Sequence, residues 1–397
     1  MERVSDRVAC LSESATLAVA QKSRELKEKG IDVISLGVGE PDFNTPDFIK
    51  EAAKKAIDDN YSTYSPVPGY PQLLKAIADK LKRDNGLEYA TNQIIVSNGA
   101  KHSIANLLQA LINPGDEVII PAPYWVTYIE LVKLNEGKNV IIPTTVDSDF
   151  KITPAQLEAA ITPKTRAFLF SSPSNPTGSV YTHDELKAFA DIFAKHPNII
   201  VISDEIYEHI IYGRKHVSIA QFPEIKERVV VVNGVSKAFA MTGYRIGYIA
   251  APLWLAKACN KLQGQYTSGP CSVSQIASVA ALNAPLDTVF AMVEQFEKRR
   301  NLVLDKLAEI QGVKTSKPDG AFYVFPDISS FFGKSDGTVT INNADDMGLF
   351  ILSNAYTGVV SGEAFGAPEC IRISYAASEA DLTKSLDRIK AALATLK

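Results

Sequence analysis

The sequence predicts an α/β protein built on one large, mostly parallel sheet, with a smaller α+β unit beside it. Three observations carry that prediction. Short β-branched runs alternate with amphipathic helical patterns from residue 93 to residue 251. Past residue 285 this alternation gives way to a long charged helix and a few short mixed segments. The chain has 397 residues, 46% of them hydrophobic and 22% charged, which is enough for two or more domains with a sizeable core.

Taken in order, "TLAVAQKSRELKEKG" from residue 16 reads as a helix, with "KSRELKEKG" as its solvated face. The candidate strands are "QIIVS" at 93, "DEVIIP" at 116, "NVIIPT" at 139, "RAFLF" at 166, "IIVISD" at 199, "RVVVV" at 228 and "RIGYIAA" at 245. That makes about seven strands in one sheet. The helix "LDTVFAMVEQFEKRRNLVLDKLAEI" leads to "GAFYVFPDI", a helix near 344 to 355, "CIRISYA" and a terminal helix. The expected division is a large domain over 46–285 and a discontinuous small domain made of 1–45 and 286–397. There is no internal repeat, low-complexity tract or Gly/Ser linker.

Charge and composition narrow the partners. A formal net charge of -4 gives no reason to expect nucleic-acid or anionic-membrane binding, so small molecules or like subunits are expected. Cys10, Cys259, Cys271 and Cys370 form no CxxC pair or disulfide-dense pattern and read as structural thiols. His102, His183, His196, His209 and His216 show no metal spacing; His209 and His216 lie seven apart and are read as having no carboxylate or Cys partner at ligand distance, so surface or core histidines and no metal are expected. The opening "MERVSDRVACLSESATLAVA" mixes charges and lacks an apolar stretch of signal or membrane length, which points to the cytoplasm.

In parallel α/β sheets, ligands bind beyond the carboxyl ends of the strands. Three of those ends carry unusual chemistry. "RAFLF" runs into Ser171 and the stretch to Gly178 that contains Asn175, "IIVIS" into Asp204-Glu205-Ile206-Tyr207, and "RVVVV" into Ser236 and Lys237. A lysine that attacks a carbonyl must be deprotonated part of the time, which desolvation and a nearby cation such as Arg245 favour. Arg245 and the Ser236 hydroxyl suit a phosphate. Asp204 suits a pyridine nitrogen, whose protonated ring is an electron sink, while Asn175 and Tyr207 suit an oxygen substituent on that ring.

"GVSKAFAMTGYRIG", "SPSNPTG" and "SDEIYEH" resemble the class I pyridoxal-phosphate aminotransferases of fold type I, and the resemblance runs from "GVGEPDFNTP" through "PGDEVIIPAPYW" to "IRISYA". It implies pyridoxal 5'-phosphate as cofactor, with Lys237 as the lysine that bonds it and shuttles the proton, and Asp204 as the pyridine partner. Tyr207 and Asn175 match the residues that hydrogen-bond the phenolic oxygen, and Trp125 the ring that stacks on the cofactor. Gly99, Ala100 and Lys101 match the loop that receives the phosphate at a helix N-terminus. Ser236 and Arg245 complete that cup, and Tyr64 resembles a residue that reaches the phosphate of the neighbouring subunit. A homodimer with shared active sites follows from that match.

The resemblance also assigns the substrate contacts. Arg372 matches the arginine that grips the α-carboxylate, which a planar fork suits, and Gly39 the backbone lining the same end. The archetypal aspartate enzymes add an arginine from the partner subunit, and "YTSGPCSVSQ" has none. The sequence is similar instead to a bacterial subgroup in which Lys101, Ser14 and Thr16 meet the distal carboxylate. The implied reaction moves the amino group of L-aspartate to 2-oxoglutarate by a ping-pong mechanism, with prephenate as a possible further substrate of the same subgroup. A lyase of the same fold, or a non-enzymatic cofactor-sensing domain, are the other classes to weigh.

Overall fold

The computed structural model describes residues 4–12 and 15–397, and only the backbone from 15 to 20. All seven expected strands form, in one sheet: β1 (Ile94–Ser97), β2 (Glu117–Pro121), β3 (Lys138–Ile142), β4 (Thr165–Ser171), β5 (Ile200–Asp204), β6 (Val229–Gly234) and β7 (Gly247–Ala250). Their order across the sheet is β1-β7-β6-β5-β4-β2-β3. The pairings from β6 to β3 are parallel, whereas β7 runs antiparallel to both β1 and β6.

The strand sequences explain why this sheet lies inside. Strands covered on both faces read as unbroken apolar runs, with alternate residues serving opposite layers. Phe168, Phe170, Val201, Val229 and Val231 join one apolar cluster, while Ala167, Leu169, Ile202, Val230 and Val232 join the other. Burial of each such side chain contributes about 1.5–3 kcal/mol. The edge strand β3 is the exception, being partly exposed along its length. β7 starts two residues later than the "RIGYIAA" run suggests, because Arg245 adopts a left-handed φ of 57° that a strand cannot contain.

A third apolar cluster lies around the long helix Asp287–Ala308 and the terminal helix Glu379–Leu393. It backs a three-stranded antiparallel sheet in which Ile371–Ser374 lies between Val360–Ser361 and Tyr323–Val324. The N-terminal stretch Ile34–Ser35 pairs in parallel with Thr357–Gly358. Asp32 accepts hydrogen bonds from Lys384 at 2.6 Å and Arg388 at 2.7 Å. Residues distant in sequence are thereby joined next to the strand that carries Arg372. No single helix among the described residues is long and apolar enough to cross a membrane.

Candidate active site

A cavity of about 390 Å³ opens beyond the carboxyl ends of β4, β5 and β6. Its walls include Lys237, Asp204, Tyr207, Asn175, Arg372 and Trp125, and also Gly39, Ala100, Lys101, Ser236 and Arg245. Residues up to 335 positions apart in the chain touch one another here, as in the 2.6 Å bond from Arg372 to the Gly37 carbonyl.

Lys237 follows β6 and faces this cavity, where its Nζ donates to the Gly39 carbonyl at 2.5 Å. Burial removes water from the ammonium and lowers its pKa to about 8; Arg372 and Arg245 push the same way, and Glu40 and Asp204 oppose them. A minor neutral fraction, about a tenth, is thereby present near neutral pH. Asp204 ends β5 and is 4% exposed. Its Oδ2 accepts from the Tyr128 hydroxyl at 2.7 Å and its Oδ1 from the Ile206 amide at 3.2 Å. Burial raises its pKa to about 6 despite those two donors. A cation brought beside it would favour the carboxylate and be favoured in turn.

Arg372 is the most telling member. It is 2% exposed, with Nη1 donating to Asn175 Oδ1 at 2.9 Å and Nη2 to the Gly37 carbonyl. Its Nε is buried with no partner, and among the described residues no carboxylate pairs with it. The Tyr323 ring lies 4.6 Å and the Phe365 ring 5.0 Å from its guanidinium carbon. A buried guanidinium with an idle N–H is costly unless an anion joins it.

The end of the cavity expected to take a phosphate is built from backbone as much as from side chains. Gly99, at φ 83°, precedes helix Ala100–Leu111, whose first amides have no partners within the helix. A Cβ at Gly99 would collide with the Arg245 guanidinium, and one at Gly247 with the Ala100 amide nitrogen. Arg245 donates to the Thr242 carbonyl at 2.9 Å and to Asn98 at 3.3 Å. Lys101 Nζ stands 5.0 Å from the Trp125 ring centre, and desolvation, followed by Arg245, lowers its pKa.

Other expected residues fall elsewhere. Tyr64 is 96% exposed and lines no part of its own chain's cavity. Ser14 and the side chain of Thr16 lie outside the described residues. Among the cavity residues that carried no expectation, two are aromatic. Tyr128 stands three positions after Trp125, in the first turn of helix Thr127–Leu134, and its ring meets Trp125 edge-on at 5.5 Å. That i, i+3 spacing was the available signal. Tyr323 comes from "GAFYVF" and bonds the Tyr207 hydroxyl at 2.8 Å; only the tertiary fold brings it there.

Two histidines, expected as surface or core residues, have acidic partners, some of them distant in sequence. His216 lies 3.0 Å from Glu205, and His209 lies 3.6 Å from both Asp84 and Glu208. Glu205, Glu208 and His216 are close enough together to hold one ion. Both carboxylates are already engaged, Glu208 by Lys80, Asn85 and Asn233, and Glu205 by Ser203 and Ser218. The cluster is a buried polar network in which both carboxylates are bonded and His216 Nδ1 is left without a partner.

Comparison with known proteins gives one answer. Residues 31–389 match the family described as aminotransferase class I and II. A bifunctional aspartate aminotransferase and glutamate/aspartate-prephenate aminotransferase of Petunia hybrida is 48% identical over 399 residues, covering 99% of this chain and 83% of that protein. The crystal structure of an aspartate aminotransferase from Rhizobium meliloti superposes with a TM-score of 0.97 at 43% identity, covering all of both chains. A Thermus thermophilus aspartate aminotransferase solved with maleate gives 0.93 at 39% identity, covering 99% of this chain and all of that one.

Proposed function

The chain belongs to the class I and II aminotransferases, and from that premise we propose that it moves the amino group of L-aspartate to 2-oxoglutarate, giving oxaloacetate and L-glutamate. The observation that carries this reading is Arg372, a buried guanidinium with an idle Nε, in the same cavity as a desolvated lysine. An amino acid brings the carboxylate that the first lacks and the amino group that the second handles. Prephenate is a second substrate in this reading, favoured by the relative named for both activities.

The cavity fits pyridoxal phosphate. Asp204 is a buried carboxyl whose ionised form needs a cation, and Gly99 and Gly247 leave room for backbone amides beside Arg245. In our reading Ser236, Arg245 and the amides at Gly99, Ala100 and Lys101 hold the phosphate, Trp125 covers the ring face, and Asn175 and Tyr207 hold the ring oxygen. When bound, the cofactor supplies a carbonyl carbon and a protonated ring that accepts the electron pair left at the substrate's α-carbon.

The chain does the rest. Lys237, neutral in part because it is desolvated, acts as nucleophile and then carries a proton on Nζ to and from the α-carbon. Asp204, oriented by Tyr128, keeps the ring nitrogen protonated by staying ionised beside it. Arg372 would hold the α-carboxylate with its fork and so orient the substrate in the cavity that Lys237 also lines. Gly39 and Gly37 line the same end through their carbonyls. Lys101, with Ser14 and Thr16, meets the distal carboxylate. We divide the chain into a large domain, 46–285, and a small one, 1–45 with 286–397, and read it as a cytoplasmic homodimer in which Tyr64 serves the neighbouring site.

Amino-donor profiling of the purified, cofactor-loaded protein and of Lys101→Ala tests this reading. Aspartate and glutamate are expected to lead in the native protein. Lys101→Ala should lower kcat/KM for aspartate, glutamate and prephenate about ten- to a hundredfold, the loss of a charge-assisted hydrogen bond of roughly 1.5–3 kcal/mol, and should affect alanine much less. A native preference for aromatic or apolar donors would overturn the substrate assignment. Equal losses for aspartate and alanine would reduce Lys101 to support of the loop.

A further inference from the structure

Tyr207 and Tyr323 reach the cavity from different parts of the chain, Tyr207 from the turn after β5 and Tyr323 from the strand Tyr323–Val324. Their hydroxyl oxygens are 2.8 Å apart, and among the described residues neither has another hydrogen-bond partner. Both side chains are buried, at 3% and 0% exposure. Two hydroxyls joined by one bond keep one proton free, so the order of donation decides which phenol offers a proton to the cavity and which offers only lone pairs.

The surroundings set that order. The Arg372 guanidinium carbon sits 4.6 Å from the Tyr323 ring centre, closer than the 5.8 Å between Lys237 Nζ and the Tyr207 ring, and although Glu40 opposes ionisation of Tyr323, Asp204 opposes that of Tyr207, so that Tyr323 is the better donor of the pair. Gly39 leaves the space, since a Cβ there would stand 2.9 Å from the Tyr323 hydroxyl oxygen. Donation from Tyr323 to Tyr207 frees the Tyr207 proton for the cavity, and each bond in such a chain strengthens the next.

We propose that Tyr323 is a positioning residue, which donates its hydroxyl proton to Tyr207 and thereby makes Tyr207 a fixed, strengthened donor to the cofactor's ring oxygen. The inference rests on the reading of Tyr207 given above. A donor aimed at that oxygen favours the form in which it carries more negative charge. This is the proton-poor form, so the donor holds down the pH midpoint of the bound cofactor's visible absorbance.

The experiment is a spectral pH titration of the pyridoxal-phosphate-loaded native protein, Tyr323→Phe, Tyr207→Phe and the double variant. Tyr323→Phe should raise the midpoint by roughly half a unit to one unit in the native background. It should leave the midpoint unmoved in the Tyr207→Phe background, because the relay then has no second member. The same rise in both backgrounds, or none in the native one, overturns the inference. A Tyr207→Phe midpoint equal to the native one would overturn the donor role of Tyr207 instead. Tyr→Phe keeps the ring volume, so a lost hydroxyl is the change that the titration reads.

Discussion

Lys237 shows how one residue's chemistry depends on where the chain puts it. An exposed lysine titrates near 10.4, whereas this one is brought down to about 8, chiefly because burial takes water from its ammonium. The consequence for stability has a definite sign. A lysine with a lowered pKa in the fold stabilises the native state above its unfolded value of about 10.5, and that stability is lost as the pH falls through about 8. In cofactor-free protein, Lys237→Met should therefore be more stable than the parent near about pH 7, and the gain should vanish toward about pH 10.5. Urea unfolding of both proteins at the two pH values measures this. A gain of equal size at both would mean that the amine is not desolvated.

At the scale of elements, the cup depends on how closely β7 passes the turn between β1 and helix Ala100–Leu111. β7 pairs with β1 in antiparallel register, Gly247 opposite Ser97, and this pairing brings Gly247 against Ala100. There is no space for a methyl group, because the atoms it would meet are backbone. Gly247→Ala should destabilise the protein by roughly 1–3 kcal/mol and weaken pyridoxal phosphate binding by pushing the amides off the anion. Gly243→Ala, whose Cβ meets nothing within 4 Å, is the matched control. Thermal unfolding and equilibrium dialysis of both variants separate the two effects. Native cofactor affinity in Gly247→Ala would show that this crossing does not shape the cup.

At the scale of the whole molecule, Tyr64 is an aromatic ring held out in solvent. Its neighbours are tied down: the Ser272 hydroxyl donates to the Thr63 carbonyl at 3.1 Å, and Gln275 donates to the Ser65 hydroxyl at 2.9 Å. An aromatic kept 96% exposed by a tethered loop fits a contact that another subunit would cover. Mixing Lys237→Ala with Tyr64→Ala protein under subunit exchange should create one dimer site with both native residues, and activity above that of either variant alone. Verified exchange without any gain would leave Tyr64 serving its own subunit, or none.

The sequence by itself determined the α/β class, the seven strands and the strand ends that carry Asn175, Asp204 and Lys237, because strand period and apolar content are local properties of the chain. Motif resemblance added Arg372 and the anion cup. Tertiary structure alone decided which buried groups lack partners. The Arg372 bonds to Asn175 and Gly37, the Tyr128 bond to Asp204 and the Tyr323–Tyr207 pair all join residues from separate elements, and Arg372 Nε is left without a partner. It likewise placed His216 beside Glu205, eleven residues earlier in the chain, and His209 beside Asp84. The reason is physical: spacing along one element predicts what that element presents, whereas desolvation and hydrogen-bond partners depend on which elements pack together.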